Sequence, residues 1–403
     1  MSQSDTIRER AEKTMLATYN RFGPVLVEGS GCLVKDADGR EYVDFVAGIA
    51  VCSLGHANAE LAAVLAEQAR RLWHVSNLYY TLPQVELAEA LTSRCFADRV
   101  FFANSGAEAN EAAIKLARHY SIARSGVEER YHIVCMEQSF HGRTLATVSA
   151  TGQPKVRQGF GPLLPGFSFV PFGDLAALRG AITEATCAVM IEPILANGGI
   201  LMPPEGYLLA VRELCDARGL LLIFDEVQVG MGRTGDLFCH QGYGIEPDVM
   251  TLAKALGGGL PIGAMLCTEE AAKGLPAGSH ASTFGGTPLV SAVAKRALEM
   301  IAAPEMLAHV REMGAYLLGR LEELKAKHPR RVSAVRGRGL IWGLELAEPS
   351  TRRLMELCAG EGVLIDIATE RVIRLVPPFV VGRAEIDALY GALDRTLPRL
   401  SRE

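Results

Sequence analysis

Two residues in this chain have the types and placement that chemistry on a carbonyl compound would need. Lys254 stands in the run Val249-Met250-Thr251-Leu252-Ala253-Lys254-Ala255-Leu256-Gly257-Gly258-Gly259, after an apolar strand-like stretch and before a glycine cluster. Most lysines are solvated surface groups, but one held at such a junction has the placement of a carbonyl-trapping nucleophile. Only the neutral amine condenses with an aldehyde, and desolvation or a neighbouring cation lowers a lysine pKa enough to supply it. Asp225 closes a second apolar run, Leu220 to Phe224. Alone, it reads equally well as a solvated strand-end carboxylate. Beside a lysine at the end of another strand, it could hold a pyridine nitrogen protonated and make that ring an electron sink. At ~4 Å and an effective dielectric of ~20 such a pair is worth about 4 kcal/mol before desolvation, enough to set a protonation state. Gln228 follows closely and is placed to donate to a ring oxygen, its plainer role being that of a loop amide.

Asn104-Ser105-Gly106-Ala107-Glu108 follows an apolar run and opens a helical pattern, Ala112 to His119. Ser105 with Glu108 reads first as a capping box. The same segment also reads as a phosphate seat, because Gly106 permits close backbone approach and a helix start attracts anions. Phe140-His141-Gly142-Arg143 adds an aromatic face and a planar guanidinium that suits a carboxylate. His141 is more simply a structural histidine. Gly230-Met231-Gly232-Arg233-Thr234-Gly235 matches the Gly-x-Gly-x-x-Gly of nicotinamide dehydrogenases. Its context argues against that reading, since Glu226 to Val229 separate it from the preceding strand and the segment after it is broken by Gly242, Gly244 and Pro247.

Short apolar runs alternating with helical patterns predict an α/β fold with a mostly parallel sheet. The expected strands are Val100–Ala103, His132–Cys135, Ala188–Ile191, Leu220–Phe224 and Val249–Leu252, each too apolar to alternate and so buried on both faces. Beyond Ala303-Pro304 a long amphipathic helix begins, followed by short strands such as Leu340–Trp342 and Val372–Leu375. Residues 29–45 read as a small meander with Asp38-Gly39 as its hairpin turn. With 403 residues, two domains are expected. A net charge of -5 without a basic block argues against nucleic acid and anionic membrane and favours small-molecule partners. The nine cysteines lie singly, so neither a metal site nor a disulfide framework is indicated and a reducing cytoplasm is expected. No signal peptide and no membrane-spanning run is apparent.

Taken in order, Ser105-Gly106-Ala107, Phe140-His141-Gly142-Arg143, Asp225-Glu226-Val227-Gln228, Lys254 and Ser282-Thr283-Phe284-Gly285-Gly286 closely resemble the class III aminotransferases. Leu54-Gly55-His56 and Trp73-His74-Val75-Ser76-Asn77 point to the acetylornithine branch, with the ornithine and succinylornithine branches near it. The resemblance runs from about Tyr19 to about Pro378. It implies fold type I of the pyridoxal-phosphate-dependent transferases, a mostly parallel seven-stranded sheet domain with a smaller α+β domain. The implied division is residues 1–55 packing with the small domain, 56–302 as the large cofactor-binding domain and 303–403 as the small domain.

The implied cofactor is pyridoxal 5'-phosphate and the implied reaction is transfer of a terminal amino group to 2-oxoglutarate. Lys254 would carry the Schiff base and the proton, Asp225 would face the ring nitrogen, Gln228 the ring oxygen and Phe140 the ring face. Ser105, Gly106 and Ala107 would seat the phosphate. Arg143, Ser282 and Arg374 would bind substrate. Thr283 would reach the phosphate held by the other subunit of a homodimer with shared active sites.

Other terminal-amine donors, namely ornithine, succinylornithine, 4-aminobutyrate or a diamine, remain open. So does the donor's identity in view of three departures. Asn197 stands where relatives carry a glutamate that masks the arginine matching Arg374; Thr287 replaces a usual asparagine; Asn58-Ala59 replaces His-Pro. Arg374 is therefore expected to stay available for a carboxylate unless another acid, such as Glu192, compensates.

Overall fold

The structure is a computed structural model that describes residues 2–400. The chain divides into two compact units, residues 60–310 and residues 1–59 with 311–403.

The first unit is built on seven strands: β1 (Arg99–Ala103), β2 (His132–Met136), β3 (Phe167–Val170), β4 (Thr186–Ile191), β5 (Leu221–Asp225), β6 (Val249–Leu252) and β7 (Gly263–Cys267). They form one sheet in the order β1-β7-β6-β5-β4-β2-β3. Only β7 runs against its neighbours, pairing antiparallel with both β1 and β6. The absence of polar alternation follows from a core on each face. Ile133, Cys135, Ala188, Met190, Ile223 and Val249 pack with Ala113, Leu116 and Ala117 of helix α1 (Gly106–Ser125). Their sequence neighbours Val134, Met136, Val189, Leu222 and Phe224 pack on the other side with Leu178, Leu208 and Val211. Burying a side chain of this size contributes about 1.5–3 kcal/mol, so a polar residue at either set would cost a full core position.

The sequence reading found five of these strands and passed over β3 and β7. β3 is a partly exposed edge strand, Phe-Ser-Phe-Val, and β7, Gly-Ala-Met-Leu-Cys, has no β-branched residue. Propensity is silent there, and β7 is a strand because two neighbours hydrogen-bond it.

The other unit holds two small sheets. Leu26–Ser30, Leu33–Asp36 and Glu41–Asp44 form the expected meander, with Gly39 at φ +87° in its turn and Val363–Leu364 added parallel at the far edge. Val332–Arg338, Ile341–Leu346, Val372–Leu375 and Asp366–Ile367 form the second. Between the meander and residue 59, Ala47, Gly48, Ile49 and Ala50 all have left-handed φ, between 49° and 65°. That conformation costs roughly 1–2 kcal/mol per non-glycine residue. Asp44 holds the turn, accepting the N–H groups of Val46 at 2.7 Å and Ala47 at 3.1 Å. His56 Nε2 lies 2.7 Å from the same carboxylate, and this bond, with one to Cys52, raises the His56 pKa to about 10. The long helix expected after Ala303 spans Pro304–Lys327, with Leu317, Leu321 and Leu324 buried.

Candidate active site

Asp225 is the last residue of β5 and is 3% exposed. Its position follows from the strand: Leu221 to Phe224 are core, and the chain emerges at the carboxyl edge where open α/β sheets bind ligands. Two side chains converge on one carboxylate oxygen. Asn110 Nδ2 donates to Asp225 Oδ2 at 2.8 Å, and His141 Nδ1 lies 2.8 Å from the same atom. The other oxygen accepts the N–H of Val227 at 3.0 Å. His141, read from sequence as a structural residue, is thus in direct contact with Asp225. Its Nε2 is buried and has no hydrogen-bond partner among the described residues. Asn110 was given no role in the sequence reading, and no signal in the sequence marked it as a buried partner of Asp225.

Lys254 opens a short 3-10 turn, Lys254–Gly257, just past β6. Register ties it to Asp225: on adjacent parallel strands Asp225 faces Thr251. Lys254 is half-buried and has φ +46°. A non-glycine residue in that region is held there by its surroundings, and such residues concentrate at functional sites.

The start of α1 is an open cradle. Ser105 Oγ accepts the N–H of Glu108 at 3.2 Å, one half of the expected capping box. The other half does not form, because the Glu108 carboxylate reaches one residue further back and accepts from Asn104 N at 2.5 Å. The N–H groups of Gly106 and Ala107 are left at the mouth of the helix, where its dipole favours an anion. Gly106 is required for packing, since a Cβ there would meet Val227 Cγ1 at 2.7 Å. Gly142, at φ +139°, is required as well, because its Cβ would meet Ala107 Cβ at 2.7 Å. The helix start, the 140–143 segment and the loop after Asp225 therefore close on one another with no room for larger residues.

Phe140 is half-buried and the Arg143 guanidinium carbon lies 5.6 Å from its ring centroid, with Arg143 itself exposed. The segment is tied to the end of β4 by Glu192, whose Oε1 accepts from Phe140 N at 2.8 Å and whose Oε2 accepts from Ala196 N at 3.3 Å. Burial, reinforced by the Asp225 charge, pushes the Glu192 carboxyl up to about 7. Gln228 is buried. Ser282 Oγ accepts from Asn104 Nδ2 at 3.1 Å and from Gly285 N at 3.0 Å, which ties it to the residue just before the Ser105 cap of α1. Asn77 Nδ2 holds the same turn through the carbonyls of Ser282 and Gly285, both at 3.0 Å. Thr283 and Phe284 are exposed.

Arg374 belongs to the other unit, in strand Val372–Leu375, and is 3% exposed. The expectation that Arg374 stays available held only if no other acid compensates, and another acid is present. Asp366, its partner in strand register, accepts from Arg374 Nε at 2.8 Å. Within this unit the acid paired with Arg374 is Asp366.

The Gly-x-Gly-x-x-Gly segment opens no helix and is a buried loop wrapped on Glu226. The Glu226 carboxylate accepts from Cys239 N at 2.6 Å and His240 N at 2.7 Å, and a Cβ at Gly230 would meet Glu226 O at 2.8 Å. Burial pushes the Glu226 carboxyl up to about 8 and brings the buried Arg233 guanidinium down to about 9. These glycines serve loop packing rather than a dinucleotide.

The fold and the strand-end constellation together define an enzyme built around an aldehyde-bearing pyridine cofactor. Residues 16–397 match the model of the aminotransferase class-III family, and the chain belongs to that family. It is 50% identical to the acetylornithine aminotransferase of Gloeobacter violaceus, over 98% of both chains. Among solved structures, it resembles N-acetylornithine aminotransferase from Stenotrophomonas maltophilia at 37% identity and a TM-score of 0.84, over 97% of this chain and 98% of that one. It also resembles ornithine aminotransferase from Toxoplasma gondii at 29% identity and a TM-score of 0.95, over 99% and 96% of the two chains. The enzyme is a pyridoxal-phosphate-dependent aminotransferase of fold type I. The residues present fit that cofactor: a buried strand-end carboxylate, a helix start against which two glycines let the neighbouring loops pack closely, and a lysine held at positive φ one strand away.

Proposed function

We propose that this aminotransferase moves the terminal amino group of N-acetylornithine, or a closely similar N-acylated ornithine, to 2-oxoglutarate, giving glutamate and a semialdehyde. Support for this donor comes from the acetylornithine aminotransferase that shares half of its residues end to end. Bound pyridoxal phosphate supplies an aldehyde that takes up the amine and a ring that holds the electron pair left when the donor carbon loses its proton.

The chain's own residues then have distinct jobs. Lys254 Nζ would hold the cofactor through its aldehyde and would carry the proton from the donor carbon. Asp225, buried at the strand end, would face the ring nitrogen and keep it protonated. Gln228 contacts the ring oxygen and Phe140 covers the ring face. Ser105, Gly106 and Ala107 hold the phosphate at the helix mouth. Arg143 takes the donor carboxylate, Ser282 lies near the substrate, and Arg374 takes a carboxylate of 2-oxoglutarate after parting from Asp366.

The active unit in this reading is a homodimer in the cytoplasm. Trp73, Tyr80, Leu82 and Phe284 are 63%, 98%, 70% and 61% exposed, an apolar surface of the kind that a second copy covers. Thr283 sits beside it and would complete the partner's phosphate site. Purified protein should absorb visible light, and the band should bleach with N-acetylornithine and return with 2-oxoglutarate. A colourless protein reconstituted with cofactor would count against the reading.

A further inference from the structure

Asn110 has the most completely used side chain near the candidate site, and nothing in the chemistry described so far calls on it. It is 1% exposed, on the second turn of α1. Its Nδ2 donates to Asp225 Oδ2 and to the backbone carbonyl of His141, both at 2.8 Å. Its Oδ1 accepts from the Thr251 hydroxyl at 2.7 Å, and Thr251 is itself fully buried.

This pattern leaves the amide no choice of orientation. A backbone carbonyl is an acceptor only, and so is a carboxylate oxygen facing an amide; a flipped amide would set its oxygen against both, while the Thr251 hydroxyl, able to donate or accept, follows the orientation they fix. One side chain thus ties together α1, the end of β5, the middle of β6 and the 140–143 segment. Both groups assigned to the ring, Asp225 at its edge and Phe140 on its face, depend on it. Phe140 does so through the adjacent His141 carbonyl.

We propose that Asn110 is a positioning residue for the cofactor: its two amide hydrogens fix the Asp225 carboxylate and the Phe140–Arg143 segment relative to each other before the ring arrives. The inference rests on the reading of Asp225 as the partner of the ring nitrogen. Pre-organisation of this kind appears in the binding constant, because a site already held in place loses less freedom when it closes on its ligand. Removing the amide takes away one of the contacts that orient the Asp225 carboxylate and the contact that holds the His141 carbonyl.

The test is the affinity of apoprotein for pyridoxal phosphate, followed by quenching of intrinsic fluorescence, in wild type, N110A, T251V, N110D and D225A. Melting temperatures of the apoproteins serve as a control for folding. N110A should bind at least tenfold more weakly, equivalent to about 1.4 kcal/mol. T251V, which removes only the donor to Oδ1, should fall between N110A and wild type. N110D adds a signature that a loss of stability would not produce. Its protonated carboxyl can give one hydrogen to Asp225 and its ionised form none, so its affinity should fall with rising pH more steeply than that of wild type. If N110A and T251V bind within twofold of wild type while D225A binds poorly, Asn110 is not a positioning residue. If D225A also binds like wild type, the reading of Asp225 is the part that fails. Should N110A not fold, T251V and the pH slope of N110D decide the matter.

Discussion

The arrangement around Asp225 makes the smallest changes the most informative. Lys254→Ala removes both the anchoring amine and the proton carrier, and positioned acid–base catalysis alone contributes about 10²–10⁴ in rate. Turnover should fall by several orders of magnitude; a variant that keeps a tenth of wild-type activity would refute the assignment of Lys254. Asp366→Asn keeps the shape of the Arg374 partner and removes its charge. With the competing carboxylate gone, KM for 2-oxoglutarate should fall several-fold while KM for the amino donor hardly moves. A rise in KM for 2-oxoglutarate would mean that Asp366 holds Arg374 in its binding pose rather than masking it. Glu226 offers a pH experiment read on stability rather than on activity. Its folded pKa of about 8 lies above its ordinary value of 4.5, so between those values the folded protein holds a proton that the unfolded chain has lost. Stability from this group is therefore present below about pH 4.5 and is lost as pH rises through about 8. Glu226→Gln, though lower in melting temperature because its amide meets two backbone donors, should show a flatter decline between pH 5 and 8 than wild type, read against ordinary glutamate values. An identical slope would show that Glu226 is ionised throughout.

At the level of elements, the sequence revealed those whose apolar pattern is their own and hid those that exist because of a neighbour. β5 and β6 were legible because Leu-Leu-Ile-Phe and Val-Met-Thr-Leu can only be buried on both faces. Their carboxyl ends then marked Asp225 and Lys254 as candidates, which only each other's company and the surrounding motifs raised above ordinary surface residues. β7, a strand by virtue of β1 and β6, was not legible, and neither was Asn110, since no periodicity tells a core asparagine from a surface one. The capping box was legible in type but not in detail: Ser105 caps Glu108, whereas the return bond goes to Asn104. Which acid pairs with Arg374 was hidden for a similar reason. The eye goes to Asn197 because a glutamate is expected there, while Asp366 becomes a partner only once strand register sets it opposite Arg374.

For the whole molecule, the exposed apolar surface at residues 72–85 and at Phe284, with Thr283 beside it, makes a second copy part of the proposed enzyme. Lys254→Ala protein and a Thr283 variant, each inactive alone, should regain activity after subunits exchange, because one of the two shared sites then receives both native residues. Proven heterodimers with no recovery would place the whole site within one chain. The claim on which everything else depends is the reaction itself. It is tested most directly by incubating the holoenzyme with 2-oxoglutarate and, in turn, N-acetylornithine, succinylornithine, ornithine, 4-aminobutyrate and a diamine, and measuring the glutamate formed. The account predicts the highest kcat/KM for N-acetylornithine or succinylornithine, with the unacylated amines well below; glutamate formed fastest from ornithine, 4-aminobutyrate or the diamine, or from none of the donors, would contradict it.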